Sequence, residues 1–238
     1  MSNEDDKKIL GVITARGGSK GIPRKNIKIL GDKPLIAHTI DAAKKSALIS
    51  HLIVSTDDEE IAGVCREYGV DVPFIRPREL ATDEAGHLEV MKHAILEMEN
   101  IHGFRFDYAV ILQPTSPFRT AEDIDGTVNK LFLYPEADSA VSLVEVINNH
   151  PVKIKKLNGD RVFSYSVPEV EGTRRQDLSG AYKRSGAVYA MRRDLLIEKN
   201  RLYGDHVVGY VVPRERYIDI DDEFDWLKAE YIFKNINK

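Results

Sequence analysis

The segment Ala15-Arg16-Gly17-Gly18-Ser19-Lys20-Gly21-Ile22-Pro23-Arg24-Lys25-Asn26 follows directly on the apolar run Ile9-Leu10-Gly11-Val12-Ile13. A strand that runs into a glycine-rich cationic loop suits a phosphate ligand. The glycines let backbone N–H groups close on an anion, while Arg16, Lys20, Arg24 and Lys25 supply positive charge around it. The expected ligand is highly charged, a triphosphate above all. A solvated turn of the same composition is the plainer alternative, and spacing narrows the choice. Gly21 is followed by Ile22 and Pro23, so the Walker A pattern is not met. Gly17 and Gly18 are adjacent, which breaks the dinucleotide fingerprint G-x-G-x-x-G.

A second chemical signal is Tyr217-Ile218-Asp219-Ile220-Asp221-Asp222-Glu223-Phe224-Asp225. In a strand, the two-residue period turns Asp219 and Asp221 to one face and Ile218 and Ile220 to the other. Two converging carboxylates call for a cation, and Mg²⁺, which takes carboxylate, phosphate and water oxygens, fits them. The competing reading is a helix entry in which Asp221 or Asp222 caps the segment running on to Trp226 and Leu227, a role that suits Asp222 better. A third cluster, Gly172-Thr173-Arg174-Arg175-Gln176-Asp177 with Tyr182-Lys183-Arg184-Ser185-Gly186, offers arginine forks suited to an acidic substrate or, equally, a solvated salt-bridged loop.

The elements that must position these residues read as βα units. Apolar runs at Ile9 to Ala15, His51 to Thr56 and Asp107 to Leu112 alternate with helix-period segments over Leu35 to Leu48, after Asp57-Asp58, over Leu88 to Met98 and over Ala121 to Leu133. Val70 to Ile75 is a candidate third strand. The pattern predicts an α/β fold with a mainly parallel sheet flanked by helices, and ligands in such sheets bind outside the carboxyl ends of the strands. The loop from Ala15 and the loop Gln113-Pro114-Thr115-Ser116-Pro117-Phe118-Arg119 both occupy that edge. From about 140 to 185 the texture shifts to short alternating stretches, expected as a β-containing insertion. A last strand from about Val207 and a helix from about Glu223 complete the chain.

The length of 238 residues, with 42% hydrophobic and 30% charged content, fits one domain over 1–238 carrying that insertion. A formal net charge of −4 argues against a nucleic-acid partner. No stretch approaches the ~20 apolar residues needed to span a bilayer, and the polar start Met1 to Lys8 has no signal-peptide character. A cytoplasmic location without membrane attachment is the expectation. The single cysteine, Cys65, falls among Ile61, Val64 and Tyr68 and reads as a core residue.

Taken in order, Ala15 to Gly21, Lys25-Asn26, Arg76-Pro77-Arg78-Glu79-Leu80-Ala81, Gln113 to Arg119, Arg175-Gln176 and Asp219-Ile220-Asp221 resemble the acylneuraminate cytidylyltransferases, which include the CMP-sialic, CMP-legionaminic and CMP-pseudaminic acid synthetases. The resemblance implies a Rossmann-like nucleotidyltransferase fold, akin to the GT-A type. It further implies a Mg²⁺-dependent transfer from CTP to a nine-carbon 2-keto sugar acid, giving CMP-sugar and pyrophosphate. It also implies a homodimer in which the insertion reaches over the neighbouring subunit. Carried over by position, Arg16, Gly17, Gly18, Ser19, Lys20, Lys25, Asn26, Arg76, Ala85 and His87 belong to nucleotide binding. Gln113, Lys153, Arg175 and Gln176 belong to the sugar acid, with Lys153 supplied across the dimer, and Asp219 and Asp221 belong to the metal. Arg16, Lys20, Asp219 and Asp221 are the expected catalytic set. Two departures stand out: His87 replaces a small polar residue, and Lys183-Arg184-Ser185-Gly186 replaces Arg-Pro-Asn-Gly, which leaves the identity of the sugar open. Competing readings are cytidylyl transfer to the eight-carbon acid Kdo, a D-x-D metal-dependent glycosyltransferase and a non-catalytic nucleotide sensor.

Overall fold

A computed structural model describes residues 7–147, 149–169, 171–172 and 174–236. The central strand β1 (Ile9–Thr14) is buried over nearly its whole length. That burial is what an apolar run without alternation requires in the middle of a parallel sheet. β4 (His51–Ser55) lies parallel on one side of β1, and β5 (Tyr108–Leu112) lies parallel on the other. The chain reaches β4 through a short hairpin, β2 (Ile29–Leu30) with β3 (Lys33–Pro34), and helix α1 (Leu35–Lys44). It crosses back to β5 through α2 (Glu59–Glu67) and α3 (His87–His102). The strand order thus reverses at β1, and a crevice opens between the carboxyl ends of β1 and β5, where doubly wound sheets bind ligands.

Beyond β5 the sheet continues with β9 (Tyr182–Arg192), β6 (Ser139–Glu145) and β10 (Val207–Val211), giving the order β10-β6-β9-β5-β1-β4. β9 alone runs antiparallel to its neighbours, so the sheet is mainly parallel as predicted. Helix α4 (Ala121–Leu133) joins β5 to β6. It begins in a capping box, with Thr120 and Asp123 each satisfying the other's backbone N–H. Short α5 (Arg193–Ile197) follows β9, and α6 (Glu223–Ile236) ends the described chain.

The insertion is narrower than expected. Residues 140–145 and 182–185 belong to the central sheet, because Ala140, Val141 and Val144 are buried in its core as an interior strand demands. Among the described residues between 146 and 181 none joins the central sheet, and they include the hairpin β7 (Lys155–Asn158) with β8 (Arg161–Ser164), whose residues are almost all exposed. The candidate strand at Val70 to Ile75 reduces to two isolated bridges, Ile53 with Asp71 and Thr56 with Ile75. Pro73 sits between them and has no N–H to give a ladder. Helix α3 outruns its predicted end at Met98 and stops at Gly103, which takes the left-handed conformation at φ 72°.

Two apolar clusters fill the faces of the sheet, and Cys65 lies wholly buried in one of them. Burial pushes its thiol up to about 12, so it is an inert core group. A third cluster matters most to the site. Ile22 from the loop after β1, Phe118 from the loop after β5, Ile218 and Ile220, and Trp226 and Ala229 of α6 pack together with Leu30 and Leu35.

Candidate active site

The crevice at the carboxyl ends of β1 and β5 holds a cleft of about 420 Å³. Arg16, Ser19, Lys20, Gly21, Lys25, Asn26, Arg76, Ala85, His87, Gln113 and Asp221 all line it. Most of the residues singled out in the sequence therefore meet in one place. Gly17 belongs to the loop itself, its N–H donating to Asp57 Oδ1 at 3.0 Å. Asn26 is buried beneath the loop and donates from Nδ2 to the Arg16 carbonyl, also at 3.0 Å. Gly21 is required by close approach: a Cβ there would collide with the Asp221 carbonyl oxygen. A Cβ on Gly18 would meet nothing, so that glycine is not demanded by packing.

Positive charge concentrates at the mouth of the loop. Arg16 reaches Asp83 at 2.8 Å and also donates to the Thr82 carbonyl, while Lys20 reaches the other Asp83 oxygen at 2.6 Å. Lys20 and then Arg16 hold the Asp83 carboxyl below the usual carboxylate range. Lys25 donates to the Ile220 carbonyl at 2.6 Å and stands 3.7 Å from Asp221 Oδ1.

Arg24 departs from expectation. Its guanidinium bonds both Asp58 oxygens and Glu60, on the side of α2, so its charge is spent on fixing the loop and not on a ligand. Asp58 also caps α2 through the Ile61 N–H. The adjacent acids therefore split two tasks, with Asp57 on the loop and Asp58 on the cap and Arg24. Arg76 is buried, bonding Ser55 and the Leu80 carbonyl, and desolvation pushes its pKa down to about 10.

Asp219 and Asp221 lie in extended chain that pairs with no strand, yet the alternation holds: Ile218 and Ile220 are buried and Asp221 is exposed. The Ile220 N–H donates to the Thr115 carbonyl at 3.0 Å, which ties the segment to the loop after β5. Burial, with a smaller contribution from Asp221, raises the Asp219 carboxyl above its ordinary value against hydrogen bonding from Thr115 and the charges of Lys25 and Lys183. Asp222 caps α6, accepting the Asp225 N–H at 2.9 Å.

Asp219 borders a second hollow of about 640 Å³, lined by Lys183, Tyr217 and one face of α6. A Cβ placed on Gly186, whose φ of 79° is left-handed, would lie 3.3 Å from Asp219 Oδ2 and 3.4 Å from Gln113 Oε1. Gln113 Nε2 is 3.0 Å from His87 Nε2.

The predicted sugar-acid residues do not all converge. Lys153 lies in a single turn of 3-10 helix at Pro151–Lys153, and Gln176 is exposed in another at Arg175–Asp177; neither lines the cleft of its own chain. The side chain of Arg175 lies outside the described structure, as does Thr173. Asp83 and Asp57 are site-forming residues that the sequence did not assign to the site, while Thr115 lies within the loop that it did. Asp83 has ordinary loop surroundings, and Asp57 reads in the sequence as a helix cap.

A sheet with a cationic loop at its switch point defines a nucleotide-binding α/β protein. A family model described as cytidylyltransferase matches residues 10–230. The chain is 33% identical over 231 residues to an N-acylneuraminate cytidylyltransferase of Escherichia coli, covering 97% of this chain and 53% of that one. It is 33% identical over 234 residues to a CMP-N,N'-diacetyllegionaminic acid synthase of Legionella pneumophila, covering 95% and 97%. Among solved structures, a CMP:2-keto-3-deoxy-manno-octonic acid synthetase complexed with CTP matches with a TM-score of 0.70 at 19% identity, covering 97% of this chain and all of that one, which establishes the fold. The chain belongs to the cytidylyltransferase family, as a nucleotidyltransferase of the acylneuraminate type. Among the described residues no helix is long and apolar enough to cross a membrane.

Proposed function

We propose that this enzyme joins CTP to a nine-carbon 2-keto sugar acid of the sialic, legionaminic or pseudaminic type. The observation that carries the reading is the convergence of Arg16 and Lys20 on a single carboxylate at the mouth of the glycine loop. Two cations that share one anion of this size mark a position that fits a phosphate group. In the reaction, the anomeric hydroxyl oxygen of the sugar attacks the α-phosphorus of CTP. The bond from that phosphorus to the bridging oxygen breaks, pyrophosphate leaves and the hydroxyl proton is lost. Arg16, Lys20 and Lys25 would hold the phosphates in line and neutralise charge gathering on pyrophosphate.

Mg²⁺ fits the donor set. Among the described residues no group of three or more His, Cys, Asp or Glu could hold a metal. A pair of carboxylates suits an ion that keeps water and phosphate oxygens as its other ligands, and a cation beside the raised Asp219 carboxyl would lower its pKa again. Asp219 and Asp221 would hold the ion, whose chemistry is to polarise phosphoryl oxygens.

A homodimer is the proposed assembly. Lys153 and Gln176 do not line their own cleft, and the hairpin that follows Lys153, with Tyr165 just after it, exposes Leu157, Val162, Phe163 and Tyr165. Such a patch is suited to a second copy. The use of CTP makes the enzyme cytoplasmic in this reading. The test is pyrophosphate release with each of the four NTPs against a panel of eight- and nine-carbon 2-keto sugar acids, with and without Mg²⁺. Turnover is expected with CTP, a nine-carbon acid and Mg²⁺ together. No turnover with CTP and any nine-carbon acid would defeat the proposal.

A further inference from the structure

His87 and Gln113 make a contact between two nitrogens, and that fixes more than a distance. An amide nitrogen only donates, so a 3.0 Å approach of Gln113 Nε2 to His87 Nε2 makes the ring nitrogen the acceptor and leaves the ring proton on Nδ1. The other end of the amide is thereby fixed. Gln113 Oε1 faces Gly186, where a Cβ-sized group would sit 3.4 Å from it and 3.3 Å from Asp219 Oδ2. The left-handed glycine leaves that space open, and the space is bordered by acceptors.

The surroundings favour the neutral ring. His87 is the first residue of α3, so the positive end of that helix opposes a charge on it. Desolvation lowers its pKa, followed by Arg76 from the segment after α2 and Arg16 from the loop after β1. The same cleft also carries Lys20, Lys25, Asp83 and Asp221, with Asp83 engaged by Arg16 and Lys20.

We propose that His87 is a positioning residue for the sugar-acid subsite: as an acceptor it fixes the Gln113 amide with its carbonyl oxygen toward Gly186, where it selects a substrate group that donates a hydrogen bond, a hydroxyl or an acylamino N–H. This rests on the function proposed above. Protonation would turn His87 Nε2 into a donor, force the amide to rotate and present an N–H₂ group where the substrate needs an acceptor.

Two measurements test it. Long-range proton–nitrogen correlation on the full chain near neutral pH reads the tautomer directly, and His87→Gln assigns the resonance among the seven histidines. A bare Nε2 with protonated Nδ1 is expected; the opposite tautomer would overturn the proposal. In kinetics, His87→Lys, whose ammonium only donates, should raise the sugar-acid KM about tenfold, the worth of one hydrogen bond, and by more than it lowers kcat. His87→Gln, which can accept through its side-chain oxygen, should restore a KM close to wild type. It should also abolish the rise in KM that wild type shows as pH falls through the His87 pKa. Equal sugar-acid KM values for wild type and His87→Lys would overturn the proposal. Failure of wild type with every 2-keto sugar acid would overturn the functional reading and the substrate selection built on it, while the tautomer stands or falls on the chain alone.

Discussion

In the proposed reaction, Asp83 stands where a phosphate of CTP would bind. Its carboxylate joins Arg16 to Lys20, so nucleotide entry would exchange one anion for another at those cations. Removing the competitor should tighten binding: Asp83→Asn is expected to lower the KM for CTP by about threefold, a size set by the exposure of the pair. An increase in that KM would show Asp83 helping the nucleotide. Asp221 has the opposite expectation. It is largely solvated, so Asp221→Asn should leave the melting temperature within a few degrees while turnover falls by about a hundredfold or more. Near-normal kinetics at saturating Mg²⁺ would remove Asp221 from the metal site.

The phosphate loop is positioned by elements far from it in sequence. Arg24 sits in a left-handed backbone conformation, φ 55°, and its guanidinium is clamped on Asp58 at the start of α2. Its hydrogen bond to Arg24, foremost, holds the Asp58 carboxyl below the ordinary carboxylate range. A depressed folded-state pKa contributes stability that is complete above the unfolded value of about 4 and is lost as pH falls through the folded one. The wild-type chain should therefore lose stability on acidification below pH about 4 more steeply than Asp58→Asn, as judged by thermal melts across pH. Parallel curves would mean that the clamp adds nothing. The sequence displays Arg24 as one more cation in a phosphate loop, because nothing local reveals a partner 34 positions away. The strand, the glycines and the later Asp219-Ile220-Asp221 alternation were legible because each is a local pattern of burial. The membership of 140–145 in the sheet was not, because Ser142 and the short run around it look like a solvent-facing hairpin. In the fold, Ser142 is fully buried, its hydroxyl accepting the Val188 N–H at 2.8 Å and paired with Ser185.

At the scale of the molecule, the cleft of one chain includes neither Lys153 nor Gln176, and the hairpin that follows Lys153 exposes Leu157, Val162 and Phe163 among charged and polar neighbours. Replacing Leu157 and Phe163 with Asp should shift the protein toward monomer in sedimentation and cut turnover together. A monomer with full activity would confine catalysis to a single chain. The family and fold were readable from ordered motifs, but the place of Lys153 and Gln176 away from the cleft was not, because no local pattern of burial marks it.

The cluster of Ile22, Phe118, Ile218, Ile220 and Trp226 also has a consequence for biosynthesis. A growing chain that has emerged through Val211 already contains every strand of the sheet and all of the glycine loop. It still lacks the Ile218 and Ile220 wedge beneath that loop, and the carbonyl that receives Lys25. Vectorial synthesis therefore completes the strands of the sheet first and the packing beneath the glycine loop afterwards.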